Sequence, residues 1–376
     1  MNSLMYHVSS PENNNASGFT EYNTVDFMID VPNRKLLKNT IRLEATLSVK
    51  SSGSTDLVGT DQIRLDHQIG GHAFIESCVV SLPKSKGVIQ NASEYPRYVN
   101  SLATGSYVKN DYFSSDLQAE LRGCCENSGK VAIQPTASHN TTGDQDPTPA
   151  NFSIKPLICL NNSTGGDFSF SDNGGIRLSF NLAKVHHALY GADMKSDTSY
   201  TLTDVTLRYQ TVPEDGQKDK IIMASYAMIK NGVASNSTNV SVRVPSNAVG
   251  GCSINFLEQS RESDLTSNAY ALMPYPEFSE VSYNFSDSTN QFISYTVTDL
   301  GDALHKGMES LKRQAPTSIT AQAYSANKGF VLGLDFNGEY IDLSANKFAM
   351  NLKSDSTTLG STPFLVYLYF HTLIVV

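Results

Sequence analysis

Hydrophobic and polar residues alternate along many short stretches of the chain, and residues 39–53 show this pattern most clearly. Every second residue of that stretch is apolar, and the residues between are polar or charged. Successive side chains of a β-strand point to opposite faces of its sheet, so the pattern predicts a strand with one buried face. The stretch therefore predicts one wall of a β-sandwich. Its expected core positions are Ile41, Leu43, Ala45, Leu47 and Val49.

Strand patterns of the same kind recur before and after a charged stretch at residues 213–220, which contains Pro and Gly and is typical of a linker. Residues 72–83 form a more continuous apolar run, which predicts a strand covered on both faces. The remaining strand signals lie at residues 22–32, 174–185, 200–212, 239–246, 250–258, 280–287, 290–299, 329–338, 346–355 and 364–376.

Helical patterns are few. Apolar residues recur at helical spacing over residues 300–311, where Thr298 or Asp299 can cap the start. Residues 92–105 give a shorter and weaker signal of the same kind. The stretch 104–150 has little periodicity of either type, and a loop that long in a compact domain is usually functional or an interaction surface.

Each half of the chain thus runs as a series of short strands, one helix in a long insertion and two final strands. This repeated pattern predicts two β-sandwiches in tandem. We assign residues 1–20 to an N-terminal arm, 21–214 to the first sandwich, 215–221 to the linker and 222–376 to the second sandwich.

Composition and charge narrow the possible partners. The 376 residues carry a net charge of −9, and only 17% of them are charged. Proteins that bind nucleic acid electrostatically usually show a basic stripe, so we expect no direct nucleic-acid contact. The densest basic cluster is Lys306, Lys312 and Arg313 on the predicted helix. Its short length and Glu309 favour a helix packed on its own sandwich over a membrane-surface helix.

Cysteine usage and the hydrophobic runs indicate folding in a reducing compartment. The five cysteines are odd in number and form no C-x-x-C pair, which argues against a disulfide framework or a zinc site. We interpret Cys124 and Cys125 as reduced thiols in a loop. The first ten residues lack the features of a signal peptide. The 13-residue apolar run at 364–376 is shorter than the roughly 20 residues of a spanning helix.

No constellation of catalytic or metal-binding residues is evident. Nucleotide-binding, hydrolase and metalloprotease motifs are absent, and no His-x-His pair supports a cupin-type metal site. His186 and His187 are interpreted as a polar strand end or loop, because neighbours on a strand point in opposite directions. Asp144 and Asp146 lack the glycine and the distal Glu of a calcium loop, so solvated acids are the better interpretation. We therefore predict no catalytic residue, no cofactor and no metal.

In their order along the chain, these segments resemble a double jelly-roll major capsid protein. That family builds the shells of tailless icosahedral DNA viruses, including polinton-like viruses, virophages and membrane-containing phages. The resemblance covers roughly residues 20–376. It rests on the pair "VDFMIDVP" and "TIRLEATLSV", the run at 65–104, "FSIKPLICL", the pair at 174–212 with Tyr200, Leu202, Asp204 and Val205, and the segment at 329–376.

The resemblance implies an all-β fold of two tandem eight-stranded jelly-roll sandwiches, with a few short helices in long loops. It implies a structural, non-enzymatic major capsid protein that forms pseudo-hexagonal homotrimers, which tile an icosahedral virion shell. The loops at 104–150 and 261–290 would then form towers or brace neighbouring subunits. Expected partners are neighbouring capsomers and minor or penton proteins. An internal membrane is a further candidate, although the chain lacks the long N-terminal arm of some members. The chain would be made in the host cytoplasm and reside in the virion.

Two other functions compete with this interpretation. A minor capsid or vertex protein belongs to the same class, but such proteins commonly use a single jelly roll, whereas this chain shows a two-part pattern. A carbohydrate-binding β-sandwich would use exposed aromatic residues, and the chain contains 18 Tyr but no Trp, the residue most often stacked on sugars.

Overall fold

A computed structural model provides the structure of the chain, and all structural statements below concern the residues that it describes. These are residues 3–53, 55–57, 63–66, 69–84, 87–106, 121, 150–216, 221–233, 237–244, 248–269, 273–286, 291–312, 330–336, 339–343, 346–353 and 363–376.

The first half of the described chain consists mainly of strands. They are β1 (Met5–Ser9), β2 (Thr24–Ile29), β3 (Arg34–Leu36), β4 (Arg42–Ser52), β5 (Thr55–Asp56), β6 (Arg64–Leu65), β7 (Ile75–Leu82), β8 (Gly87–Ser93), β9 (Ala150–Ile154), β10 (Ser163–Gly165), β11 (Phe168–Ser169), β12 (Ile176–Leu182), β13 (Leu189–Tyr190) and β14 (Ser199–Pro213). The helices are α1 (Tyr95–Ser106), α2 (Phe170–Asn173) and α3 (Val185–Ala188).

The second half repeats this composition with longer strands. They are β15 (Ile221–Val233), β16 (Ser237–Arg243), β17 (Ala248–Glu258), β18 (Glu280–Ser286), β19 (Gln291–Val297), β20 (Leu332–Asp335), β21 (Ile341–Asp342), β22 (Lys347–Lys353) and β23 (Phe364–Val375). One helix, α4 (Leu300–Lys312), follows β19.

Eight principal strands in each half pair in the same order. In the first half, β1, β14, β4 and β9 form one sheet and β2, β12, β7 and β8 form the other. In the second half, β15, β23, β17 and β20 correspond to the first set, and β16, β22, β18 and β19 to the second. When the eight principal strands of each half are numbered 1 to 8 in chain order, both halves have one sheet with the strand order 1-8-3-6 and one with the order 2-7-4-5. This is the connectivity of a jelly roll, and it confirms two tandem eight-stranded jelly rolls.

Strand β4 shows how the alternating sequence forms the first core. Its residues alternate between half-buried and buried positions along its whole length, as expected for a strand with one face on a core. Leu47 is completely buried, and Ile41 and Leu43 are at most 3% exposed. The polar side chains of β4 lie on the opposite, outer face of the sheet.

Strand β23 is different because almost all of its residues are buried. Phe370 packs against Phe348, with 5.6 Å between ring centroids, and so faces the second core. The residues on either side of Phe370 point to the outer face of the sheet and are buried as well. Something other than the second core therefore covers that face.

Both predicted helices are confirmed as α1 and α4.

Residues 5–9, within the segment predicted as an arm, form β1, which pairs along the free side of β14. Tyr6 and Val8 are exposed there. Strand β1 therefore lacks the alternation of buried apolar and exposed polar residues that predicts the other strands. Strand β18 confirms the strand signal at 280–287, so the end of the predicted loop at 261–290 is a strand. Within the described residues, no helix combines the length and apolar character needed to span a bilayer.

Candidate functional site

The two sandwiches meet at α1, which follows the fifth strand of the first sandwich and lies against the outer face of the second. The ring centroid of Tyr98 lies 3.9 Å from that of Tyr226 on β15 and 4.9 Å from that of Tyr369 on β23. All three tyrosines are buried. Buried aromatic rings carry much of the energy of a packed interface. We call this contact the junction.

A buried cation makes the junction specific. Arg97 of α1 is 1% exposed. Its guanidinium carbon lies 4.5 Å from the centroid of the Tyr367 ring, and its Nη2 donates a hydrogen bond of 2.5 Å to the carbonyl oxygen of Ala269. A buried charge is costly unless it is compensated, and a ring face together with a carbonyl oxygen compensates a guanidinium. Sliding the sandwiches past each other would remove both partners at once.

Charged side chains surround this contact. The Glu94 carboxylate lies 3.6 Å from Nζ of Lys230 on β15, and Lys230 also pairs with Glu262. Burial, assisted by the negative charge of Glu76, raises the pKa of Glu94 above its usual range. The hydroxyl of Tyr369 donates a 3.3 Å hydrogen bond to the Glu94 carbonyl oxygen. Glu94 thus contacts the second sandwich through both its side chain and its backbone.

Two further contacts join the sandwiches. The buried carboxylate of Asp66 accepts hydrogen bonds of 2.7 Å from Asn100 of the first half and from Asn268 of the second. Strand β10 of the first half pairs with the start of β15, so it extends a sheet of the second sandwich. Together with α1, these contacts hold the two jelly rolls as one body.

The corresponding outer face of the first sandwich is polar. An open groove of about 470 Å³ lies across β4, β9 and β14, and its lining includes Glu44, Thr46, Asn151, Asp204, Thr206 and Arg208. Arg208 and Glu44 form an ion pair of 2.5 Å, and Thr46 donates to Asp204 at 3.2 Å. Both contacts join β4 to β14 across the groove.

The two sequence candidates for metal binding have different outcomes. His186 and His187 lie in the one-turn helix α3, rather than at a strand end or in a loop as predicted, and Nδ1 of His187 lies 3.0 Å from the Glu76 carboxylate. The described part of the chain contains no group of three or more metal-ligating side chains. Asp144, Asp146, Cys124 and Cys125 lie outside the described residues.

The other three cysteines are buried free thiols, namely Cys78, Cys159 and Cys252. Burial raises the pKa of Cys159 and of Cys252 to about 12, and it raises the pKa of Cys78 as well. The thiolate is the reactive form of cysteine, so these three residues behave as small apolar core residues.

The junction residues were not found by sequence reasoning, although a signal was present. Tyr367 and Tyr369 are two residues apart on a strand, and this spacing places two aromatic rings with polar tips on one face. The apolar residues on either side of each of these tyrosines also indicate a strand covered on both faces.

Strand order and comparison with solved structures define the class: the chain has the double jelly-roll fold found in viral major capsid proteins. No protein-family model and no curated protein sequence matches it.

Three solved structures show this likeness over nearly complete chains. The Faustovirus major capsid protein is 10% identical, with a TM-score of 0.62 over 100% of this chain and 90% of that one. The PBCV-1 virus capsid is 9% identical, with a TM-score of 0.61 over 100% of this chain and 95% of that one. The Sputnik virophage structure is 9% identical, with a TM-score of 0.56 over 99% of this chain and 86% of that one.

Proposed function

We propose that the chain is a structural major capsid protein that self-assembles as pseudo-hexagonal homotrimers, which tile an icosahedral virion shell. The observation that carries this proposal is the use of one strand topology twice within a single body held by the junction. Three copies of such a body supply six similar walls around a threefold axis. A building block of that kind suits a closed symmetric assembly.

Fold and composition support the same function. The fold is shared with the Faustovirus major capsid protein and the PBCV-1 virus capsid. The net charge of −9 fits a shell that does not bind the genome electrostatically. The proposal assigns no catalytic role and no cofactor to the chain. Its partners are neighbouring capsomers and minor or penton proteins. The chain is made in the host cytoplasm and resides in the virion.

Light scattering on the purified protein tests the oligomer. We expect a stable species of three times 41.0 kDa, and electron microscopy of purified particles should show this chain as the main shell component. A strictly monomeric protein with affinity for glycans would contradict the proposal and support a carbohydrate-binding sandwich. A trace amount of the chain in particles would instead support a minor or vertex protein.

A further inference from the structure

The first strand of each jelly roll lies at one side of its 1-8-3-6 sheet, and the two strands differ in what covers them. In the second sandwich this strand is β15, and the first sandwich covers it twice. Helix α1 packs on its outer face, where Tyr226 is only 3% exposed against the ring of Tyr98. Strand β10 pairs along the start of its outer edge. The first strand of the second sandwich is therefore a contact surface within the chain.

The counterpart of β15 in the first sandwich is β1. Val8 of β1 lies opposite Arg208, which is exposed. His7 lies opposite the buried residue Tyr209 and stacks on it, with 5.0 Å between ring centroids. Neighbouring residues of a strand point to opposite faces of the sheet. His7 therefore points inward, and Tyr6 and Val8 point to the outer face.

This outer face of β1 is apolar and open. Tyr6 is 75% exposed and Val8 is 60% exposed, and the adjacent residues Leu4 and Met5 are exposed as well. Among the described strands, β1 pairs only with β14, and it contains no Lys, Arg, Asp or Glu. Natural proteins usually cover such an edge strand or protect it with charge, and clustered exposed apolar side chains mark interaction sites. We call the surface formed by Tyr6 and Val8 the β1 face.

We infer that the β1 face of one copy contacts the second sandwich of a second copy. Within the chain, the first sandwich already covers the equivalent strand β15 of the second. The same relation, carried from one copy to the next, places a second sandwich on the β1 face, so that the two kinds of sandwich alternate around a ring. A head-to-tail contact of this kind can close a ring of identical subunits. This inference rests on the proposed homotrimer and names the surface by which its copies meet.

Photo-crosslinking maps the contact directly. Benzoylphenylalanine in place of Tyr6 should form adducts between copies, and mass spectrometry should locate them within residues 221–376. The matched control carries the same group in place of Tyr22, which is 66% exposed and lies outside the strands. The backbone N–H of Tyr22 donates to the carbonyl oxygen of Leu182 at the end of β12, on the other sheet of the first sandwich. This control should give no adducts within those residues.

A substitution tests whether the β1 face is required. Val8→Asp removes apolar surface and places a carboxylate opposite Arg208, and an opposite-charge pair across two strands helps to hold β1 on its sheet. Light scattering should show the species at three times 41.0 kDa reduced to the monomer, at a concentration where the unmodified chain is trimeric. The control Val8→Ile keeps the apolar surface and should leave the trimer intact. Circular dichroism should show the same folded spectrum for both variants.

Two kinds of failure are distinguishable. Trimers that persist in Val8→Asp, or that crosslink from position 6 only to the first sandwich or not at all, would overturn this inference and leave the capsid proposal standing. An unmodified chain that is monomeric and forms no adducts would overturn both.

Discussion

The junction predicts opposite effects for two substitutions at Tyr98. The ring is completely buried between α1 and the second sandwich, and replacing a buried aromatic residue by Ala typically costs about 3–5 kcal/mol. Tyr98→Ala should therefore lower the free energy of unfolding by about 4 kcal/mol. Because Tyr98 joins the sandwiches, this loss should also separate their unfolding into two steps.

Tyr98→Phe keeps the ring and removes only the hydroxyl. Among the described residues, that hydroxyl is buried without a hydrogen-bond partner. Burial also raises the pKa of Tyr98 well above its usual range, so the hydroxyl stays neutral. An unsatisfied buried polar group costs about 1–3 kcal/mol, so Tyr98→Phe should leave stability unchanged or increase it.

Urea unfolding followed by circular dichroism measures both effects, at one fixed protein concentration because dissociation of an oligomer also contributes to stability. Tyrosine fluorescence gives a second probe, since the chain contains no Trp. If Tyr98→Phe lost as much stability as Tyr98→Ala, the hydroxyl would have a partner. If Tyr98→Ala cost less than about 1 kcal/mol, the junction would not be packed as described.

Three further predictions concern the core, the charges at the junction and the thiols. Leu43→Asp should abolish soluble assembled protein, because an unpaired buried charge costs several kcal/mol or more. The control Arg42→Glu changes a residue on the outer face and should leave the protein soluble in a fractionation assay. Equal solubility of the two variants would refute the assignment of Leu43 to the core face and Arg42 to the outer face. The folded pKa of Glu94 is raised, so its contribution to stability is complete below the usual pKa of 4.5 and is lost as the pH rises through the folded pKa. Glu94→Gln should therefore gain stability relative to the unmodified chain as the pH rises, and a difference in unfolding free energy that is independent of pH would contradict this. The three buried thiols should react with a thiol reagent only after denaturant is added, and rapid labelling of any of them in the native protein would show an open core.

Most of the fold could be predicted because its strands are amphipathic. A strand such as β4 faces a core on one side and a polar surface on the other, so its sequence carries the period of two. The repeated series of strands, helix and two final strands likewise indicated two sandwiches. Strand β1 was not predicted because it is a short edge strand with exposed apolar side chains. Its sequence therefore lacks the alternation of buried apolar and exposed polar residues.

The junction could not be predicted because it depends on contacts between segments that are distant along the chain. Arg97 follows the fifth strand of the first sandwich and Tyr367 lies in the last strand of the second, and their pairing follows only from how the two sandwiches pack. A local pattern could show that strand 364–376 is apolar on both faces. It could not show that a helix of the first sandwich covers one of those faces.

The position of the eighth strand has a consequence for synthesis. Strand β23 fills the space between β15 and β17, so the sheet is joined only when residue 375 has left the ribosome. At about 5–20 residues per second, the chain from residue 221 to residue 375 takes roughly 8–30 s to make. Until β23 is made, the edges of β15 and β17 that face it have no partner strand, and unpaired edges readily bind other chains. The yield of folded subunits therefore depends on protecting these edges during translation as well as on the final stability of the sandwich.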